Sequence, residues 1–579
     1  MKRIIASVSA AAALCFAASC NQTDTAADVQ VGPYTVSVIE PGVFHIQDFN
    51  DENPAGESFD AEGNKTHFNN CSDMYLVVGR SKALLIDLSN NIRWADNAAE
   101  SLRGIVAERT KGKDLIITFT HNHGDHIGMW NAYRTDENVA FAYPKADFQN
   151  LLTQDEAAKW PLYNEGFEFD LGGMKVQTIA VPGHTAGSMV FYLKGHNIMF
   201  TGDAIGSGHG VWIFNRDAFY SYVSAVYHLV AFVEDPANGI DKDALKFYGG
   251  HYWQRDWLDY AEGQEQGWQY LSDMKELIDQ IERGEAATEP SNLGRPNLDT
   301  YFRNGEAIIT WNTAEAEAYR NEYSEKIVYR DEDLVFRQID EHTWEGNGHM
   351  VFNESVYLVE GEEKALLIDA GTMLRHLDKA VAKLTDKPVT LVATHVHGDH
   401  TGMAISQFPE LYINPADVAQ FGMNLTDASA AANMNKCKIC FLQDGMVFDL
   451  GGREIEVVYT PGHTPGSTTF IDKAHHYGFS GDSFGSTNLL LTTTFSTLIG
   501  TTARMEATMQ KYGIEKLYPG HYNKGNLETL QRVQDLNRMA HEMLDGTRTG
   551  TTEEGMLGLN SAINDFGVTV RYNYPNAVK

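Results

Sequence analysis

The feature that most constrains this 579-residue chain is that it contains one pattern twice. Phe169-Asp170-Leu171-Gly172-Gly173 recurs 279 positions later as Phe448-Asp449-Leu450-Gly451-Gly452. At the same offset Pro182-Gly183-His184-Thr185 becomes Pro461-Gly462-His463-Thr464, and Gly202-Asp203 becomes Gly481-Asp482. Upstream, Ala83-Leu84-Leu85-Ile86-Asp87 recurs as Ala365-Leu366-Leu367-Ile368-Asp369. Solenoid repeats run roughly 20–50 residues, so a period this long means two copies of one domain. Small changes of offset elsewhere mark loops of unequal length. The expected boundaries are 1–19 for a signal segment, 20–28 for a tether, 29–325 for a first domain ending in a helical linker, and 333–579 for a second domain.

Within each copy strand signals come first. Tyr75-Leu76-Val77-Val78 and Tyr357-Leu358-Val359 precede Gly turns. Helix patterns then run from Trp94 to Val106 and from Leu374 to Leu384. The joint carries an amphipathic helix near Tyr270 to Arg283, a Pro/Gly/Asn-bearing stretch from Glu289 to Asn297, and a short helix around Ala314 to Glu325. Strands alternating with helices imply an α/β class.

Composition excludes several alternatives. With 43% apolar and 21% charged residues the chain is neither disordered nor a coiled coil. A net charge of −33 repels phosphate backbones, so no nucleic-acid partner is expected. No apolar run long enough to span a bilayer lies beyond the N-terminus.

The N-terminus reads as an address. Lys2 and Arg3 precede a mainly apolar run from Ile4 to Ala18, a secretory signal pattern. Ala17-Ala18-Ser19-Cys20 resembles a bacterial lipobox, with Ala17 where Leu is commoner, and a polar stretch from Asn21 to Ala27 follows. The expectation is a lipid on Cys20 and a chain held at the cell envelope, periplasmic or surface-facing, touching membrane only through that anchor. Cys71, Cys437 and Cys440 are too few for a disulfide framework. Cys437-Lys438-Ile439-Cys440 reads as a local disulfide or a plain surface loop before a redox motif or half a zinc site.

The chemistry sits in histidines. His121-Asn122-His123-Gly124-Asp125-His126 follows the apolar run Leu115 to Phe119, and His395-Val396-His397-Gly398-Asp399-His400 follows Val389 to Ala393. A strand therefore delivers each motif at its C-terminal end. In extended chain residues i and i+2 share a side, so His121 and His123 can grip one metal. Asp125 and His126 lie past the Gly and can face a second. Downstream come His184, Asp203 and His251 in copy one, and His463, Asp482 and His521 in copy two, each directly after a Gly. Imidazole and carboxylate together favour Zn, with Fe or Mn as alternatives.

The ordered set His-x-His-x-Asp-His, then His, Asp and His, present twice, resembles the metallo-β-lactamase-fold hydrolases, in tandem. The resemblance implies an αββα sandwich in each copy, with a binuclear site at one edge of the two sheets. It implies that His121, His123 and His184 hold one metal, that Asp125, His126 and His251 hold the other, and that Asp203 bridges them. In copy two it assigns His395, His397 and His463 to one metal, Asp399, His400 and His521 to the other, and Asp482 to the bridge. Asp87 and Asp369 match the family's buried Asp, which orients the metal-binding loop from behind. Asp125 and Asp399 are also candidates to shuttle a proton. The implied activity is that of a binuclear zinc hydrolase, two metals per domain, attacking a small ester, lactone, thioester or amide through a metal-bridging hydroxide. β-Lactam hydrolysis is disfavoured, because true class B1 enzymes carry Cys where this chain has Asp203 and Asp482. Phosphodiester hydrolysis and a non-catalytic, metal-containing binding lipoprotein are the remaining alternatives. The segments from Ile205 to Phe214 in copy one, and Phe484 then Leu489 to Phe495 in copy two, are expected to line the two pockets. Tyr252 and Tyr522 follow the last His as oxyanion donors or as packing.

Overall fold

The computed structural model describes residues 28–48, 58–59, 65–67, 72–92, 95–206, 210–251, 266–291, 293–323, 326–348, 353–421, 437–523, 525–553 and 556–578. The signal segment, Cys20, the tether, Cys71, Trp94, residues 207–209 and Tyr252 lie outside the described residues. The chain divides into two units, 1–321 and 322–579.

The first unit is built on two sheets. One has seven strands in the order Val29–Val31, Tyr34–Glu40, Val43–Gln47, Asp73–Val78, Lys82–Ile86, Asp114–Thr118 and Val139–Phe141. The other has five, in the order Glu168–Asp170, Lys175–Ala180, Met189–Leu193, Ile198–Gly202 and Lys246–Gly249. The pleat sorts the side chains. Tyr75, Val77, Leu84 and Ile86 point to one face and pack against Phe169, Phe191 and Phe200 of the second sheet. Their neighbours Met74, Leu76, Ala83 and Leu85 point to the other face and pack with Leu102, Ile105 and Val106 of the helix Ala98–Thr110. Both faces are covered, so these strands read as continuous apolar runs instead of alternating ones. The second unit repeats the plan. Tyr357, Val359, Leu366 and Ile368 meet Phe470 and Phe479 between its sheets. Leu358 and Leu367 pack outward with Leu377, Ala380 and Val381 of the helix Leu377–Leu384. Each unit is a mixed α/β sandwich of the expected class.

Several local expectations need correction. The first helix covers Ala98–Thr110 instead of Trp94 to Val106, and it ends where Lys111 turns left-handed (φ 52°) before Gly112. Its counterpart starts at Leu377 instead of Leu374. The helix of the joint starts at Trp268 and is capped by Gly284 at φ 73°, and the short helix is Thr313–Tyr323. The supposed linker contains a sheet. Ala287–Pro290, Thr300–Asn304 and Ala307–Trp311 form an antiparallel meander, and Val211–Trp212 joins its edge in parallel. The missed signal is Asn304-Gly305: the two strands are joined by a two-residue turn with Gly305 at φ 55°. The second unit has the equivalent sheet of Asn488–Leu491, Val568–Tyr572, Ser561–Asp565 and Thr551–Thr552. Cys437 and Cys440 are both free, and Cys440 lies in the strand Lys438–Phe441, not in a loop. Three residues of extended chain span about 10 Å, beyond the roughly 7 Å Cα reach of a disulfide.

Candidate metal centres

The site of the first unit forms where strands end. Asp114–Thr118 runs parallel to Lys82–Ile86, and Ile198–Gly202 runs parallel to Lys246–Gly249. The C-terminal ends of these strands deliver Asp87, the His121–His126 loop, Asp203 and His251. Glycine makes the approach feasible. A Cβ on Gly250 would lie 2.4 Å from Asp203 Oδ1 and 2.7 Å from His126 Cε1, and Gly520 would collide with Asp482 and His400 at the same distances. Gly202 has φ 50°, and a Cβ there would lie 2.5 Å from Thr120 Cβ.

Every candidate ligand named from the sequence converges. In the first unit His123 Nδ1 lies 2.9 Å from His184 Nε2. His121, His123 and His184 form one cluster of donor atoms, His121, His126 and Asp203 a second, and Asp125, His126 and His251 a third. Asp203 faces both histidine sets: Oδ2 lies 3.5 Å from His184 Nε2 and 3.4 Å from His251 Nε2, and Oδ1 lies 3.5 Å from His126 Nε2. Asp125 Oδ2 is 3.5 Å from His251 Nε2. The second unit matches. His463 Nε2 lies 2.8 Å from His397 Nδ1 and 3.1 Å from His395 Nε2. Asp482 Oδ2 is 3.5 Å from His463 and 3.4 Å from His521, and Asp399 Oδ2 is 3.6 Å from His400 and 3.5 Å from His521.

A second layer fixes which nitrogen faces inward. The Asp87 carboxylate accepts the Thr120 N–H (2.7 Å) and the Thr120 hydroxyl (2.7 Å), and it meets His126 Nδ1 at 3.0 Å. Because the Thr120 hydroxyl donates to Asp87, its oxygen is left to accept His121 Nδ1–H at 3.0 Å. His184 Nδ1–H donates to the Trp212 carbonyl at 3.1 Å. His121, His126 and His184 are thereby held with Nε2 pointing into the site. Asp369, Thr394 and the Leu490 carbonyl repeat the arrangement around His400, His395 and His463. Asp87 and Asp369 adopt φ 67° and 66°, a left-handed conformation that costs a non-glycine residue about 1–2 kcal/mol. Asp87 and Asp369 thus stand where a positioning role requires them.

The electrostatics divide each site in two. Burial pushes His121 and His395 well below the ordinary imidazole range and lowers His184 and His463 to about 4. Burial lowers His123 and His397 as well. These six offer neutral imidazole lone pairs. Burial opposes charge on His251 and His521 too, but the adjacent Asp203 and Asp482 outweigh it and raise both to about 9. His126 is likewise raised well above normal by Asp203 and Asp125 against burial. Against the same burial, His251 and His126 hold the Asp203 carboxyl well below its usual range.

The donor set fits a metal pair by a direct test. Among the described residues His121 Nε2, His126 Nε2, His400 Nε2 and Asp482 Oδ1 are buried with no hydrogen-bond partner. Leaving such atoms unsatisfied costs roughly 1–3 kcal/mol each, and all four point into the candidate centres. Nitrogen and carboxylate donors in this mix suit zinc.

Sequence reasoning missed three supports. Asp147 clasps two ligand loops: it accepts the Asn122 N–H (3.1 Å), the Thr185 hydroxyl (2.7 Å) and the Gly187 N–H (2.7 Å). Asp417 does the same, accepting from Thr464 (2.8 Å) and Gly466 (2.6 Å) of the His463 loop and from the backbone of Val396 between His395 and His397. The repeated Ala146-Asp147 and Ala416-Asp417 was the available signal. Tyr75 and Tyr357 donate to the Gly249 and Pro519 carbonyls beside the last His. Asp48 accepts from Ser72, Ser89 and Asn90, bracing the chain just past Asp87. The expected pocket segments are only half right. Ile205, Val211 and Ile213, like Phe484, Leu489 and Leu491, are core residues, whereas Trp212, Phe214 and Leu490 are half-buried and Thr492 is exposed. Tyr522 packs against Tyr518 at 5.4 Å between ring centres.

Comparison with known proteins agrees with this geometry. The model of the "Metallo-beta-lactamase superfamily" matches residues 72–236, 349–415 and 438–537, together more than half of the chain. The chain is 28% identical to the human acyl-coenzyme A thioesterase MBLAC2 over 214 residues, 31% of this chain and 76% of that protein. It is 34% identical over 107 residues to a hydroxyacylglutathione hydrolase of Brucella anthropi, 18% of this chain and 39% of that protein. A solved metallo-beta-lactamase from Pontibacter korlensis is 18% identical with a TM-score of 0.30, covering 42% of this chain and 99% of its own.

Proposed function

Starting from the metallo-β-lactamase superfamily, to which this chain belongs, we propose that each unit is a binuclear zinc hydrolase acting on a small thioester or ester, with lactones and amides as less favoured substrates. The observation that carries this reading is the duplicated convergence of His and Asp donors with buried, unpartnered atoms aimed inward. The thioester preference is supported by the names of two relatives, an acyl-coenzyme A thioesterase and a hydroxyacylglutathione hydrolase.

When bound, the metal pair supplies Lewis acidity, activating a water and polarising the substrate carbonyl. His121, His123 and His184 would hold one ion, and Asp125, His126 and His251 the other, with Asp203 between. In the second unit the sets are His395, His397 and His463, then Asp399, His400 and His521, with Asp482 between. Asp125 and Asp399 lie 3.5 Å from His251 and His521, and in this reading they pass a proton to the leaving group. Buried Asp87 and Asp369 hold their histidines rigidly, so little reorganisation accompanies turnover.

The test is a panel of thioesters, esters, lactones, a cephalosporin and a phosphodiester, assayed on the zinc-loaded chain and on Asp203→Ala and Asp482→Ala. Metal content should approach four per chain, and each variant should lose a different part of the activity profile. A chain hydrolysing only the phosphodiester, or nothing, would refute the reading.

A further inference from the structure

Beside the first unit's centre stands an aromatic wall with no counterpart among the described residues of the second unit. The Phe214 ring lies 5.9 Å from that of His123 and 5.7 Å from that of His184. Trp212 meets Phe214 edge-on at 6.5 Å. The Arg295 guanidinium then sits over the Trp212 ring, 4.9 Å from its centre. Phe214 and Trp212 are half-buried, and Arg295 is exposed. Among the described residues the Arg295 guanidinium makes no ion pair and stacks on Trp212, while its carbonyl accepts the Leu298 N–H at 2.9 Å.

The fold puts these groups together through the added sheet. Val211–Trp212 pairs with Ile309 and Thr310, and Arg295 immediately precedes the short 3₁₀ turn Pro296–Leu298 that leads into the same sheet. The Trp212 carbonyl also accepts from His184, which ties the wall to a candidate ligand.

The second unit diverges at each of these points. Leu490 takes the place of Trp212, since its carbonyl accepts from His463 at 2.9 Å. Thr492 and Thr493 follow where Phe214 would stand, and their hydroxyls are consumed by the His463 and Gly462 carbonyls at 2.6 and 2.9 Å. The segment between the outer strands is Ser291 to Asp299 in copy one. In copy two it is Glu553 to Asn560, with two glutamates and no cation.

In a chain of net charge −33, an uncompensated guanidinium beside the site is the locally attractive point for an anion. Stacked on an indole it is already ordered, and its edge N–H groups remain free for a carboxylate or phosphate. The rings between it and the histidines offer apolar contact. We propose that the first unit takes an ester or thioester whose apolar acyl chain ends in an anionic group, with Phe214 and Trp212 packing the chain and Arg295 pairing the anion. The second unit takes substrates without that charge. This rests on the hydrolase reading above.

The test uses the full zinc-loaded chain carrying Asp482→Ala, so that only the first unit turns over. The probes are p-nitrophenyl suberate, whose far end is a carboxylate, its ω-carboxamide analogue, and an ester of equal length ending in a phosphate. The ratio of kcat/KM for the anionic esters over the amide should exceed one. It should fall about tenfold or more on Arg295→Glu, partly recover in Arg295→Lys, and shrink as salt is raised. The larger of the two anionic ratios identifies the preferred terminal group. A chain bearing Asp203→Ala instead should favour the amide. Turnover with a ratio that Arg295→Glu does not move overturns the proposal alone. Absence of turnover by this variant on these esters and on the thioesters of the panel above overturns the hydrolase reading of the first unit and this proposal with it.

Discussion

At the scale of single residues, one carboxylate does the work of positioning. Asp87 accepts three hydrogen bonds from the loop and the histidine it serves. An amide in its place would turn a donor toward one of those three donors. Asp87→Asn should therefore weaken zinc binding in the first unit about 10–100-fold. Competition with a chromophoric chelator measures this, and an unchanged affinity would count against the positioning role. Glu528 makes a different prediction. Its carboxyl is buried between the Ser480 hydroxyl (2.6 Å) and the Ser486 N–H (3.0 Å), and burial raises it from 4.5 to about 8. Below pH 4.5 the group is protonated in folded and unfolded chain alike. Between there and pH 8 the unfolded chain loses the proton while the folded one keeps it, so stability falls as pH rises. The slope is at most about 1.4 kcal/mol per pH unit. The first unit carries Gln266 at the equivalent bridge. Glu528→Gln should match the parent at pH 4 and exceed it by a few kcal/mol at pH 8 in denaturant titrations. A constant difference across pH would show that the carboxyl is not held neutral.

At the scale of elements, the sites depend on loops tied to one another. Asp147 joins the loop bearing His121 and His123 to the loop bearing His184. Asp417 does so in the second unit, holding Val396 on one side and Thr464 and Gly466 on the other. Removing the clasp strands the buried Gly187 N–H, at roughly 1–3 kcal/mol, and frees the half-buried Asn122 N–H and Thr185 hydroxyl. Asp147→Ala should lower the zinc affinity and kcat of the first unit by at least about tenfold and leave substrates specific to the second unit untouched. Assay of both substrate classes on the one variant decides it: equal loss on both would mean general unfolding. The sheets themselves are less sensitive, since their strands are buried on both faces and many side chains share the load.

At the scale of the whole molecule, duplication has kept the donors and varied their surroundings. Both ligand sets, both buried aspartates and both clasps are present, yet the first unit lines its centre with rings and the second with aliphatic and hydroxyl groups. Loops set selectivity while the scaffold holds the chemistry. The envelope anchor rests on the N-terminal residues alone. Among the described residues no helix is long and apolar enough to cross a membrane. Cys20→Ser should shift the protein from the membrane fraction to the soluble one and abolish labelling by a radioactive fatty acid. A parent protein that is already soluble and unlabelled would refute the anchor.

The two-copy plan, the fold class and every candidate metal donor were legible in the residues, because each leaves a local trace. Apolar runs mark doubly covered strands, His-x-His alternation marks one side of an extended segment, and Gly before Asp203 or His251 marks a close approach of backbone. What the chain could not disclose locally was decided by tertiary contact. Tyr75 and Asp48 look like ordinary core or turn residues until the fold brings distant partners to them, and the repeat that marks Asp147 does not reveal which loops it joins. The meander after the joint was hidden because its helix flanks read more strongly than its short strands. Arg295 lies 83 positions from Trp212, and only the pairing of a two-residue strand with Ile309 and Thr310 sets that cation beside the site. Local pattern reports what a residue buries, whereas long-range packing decides what it meets.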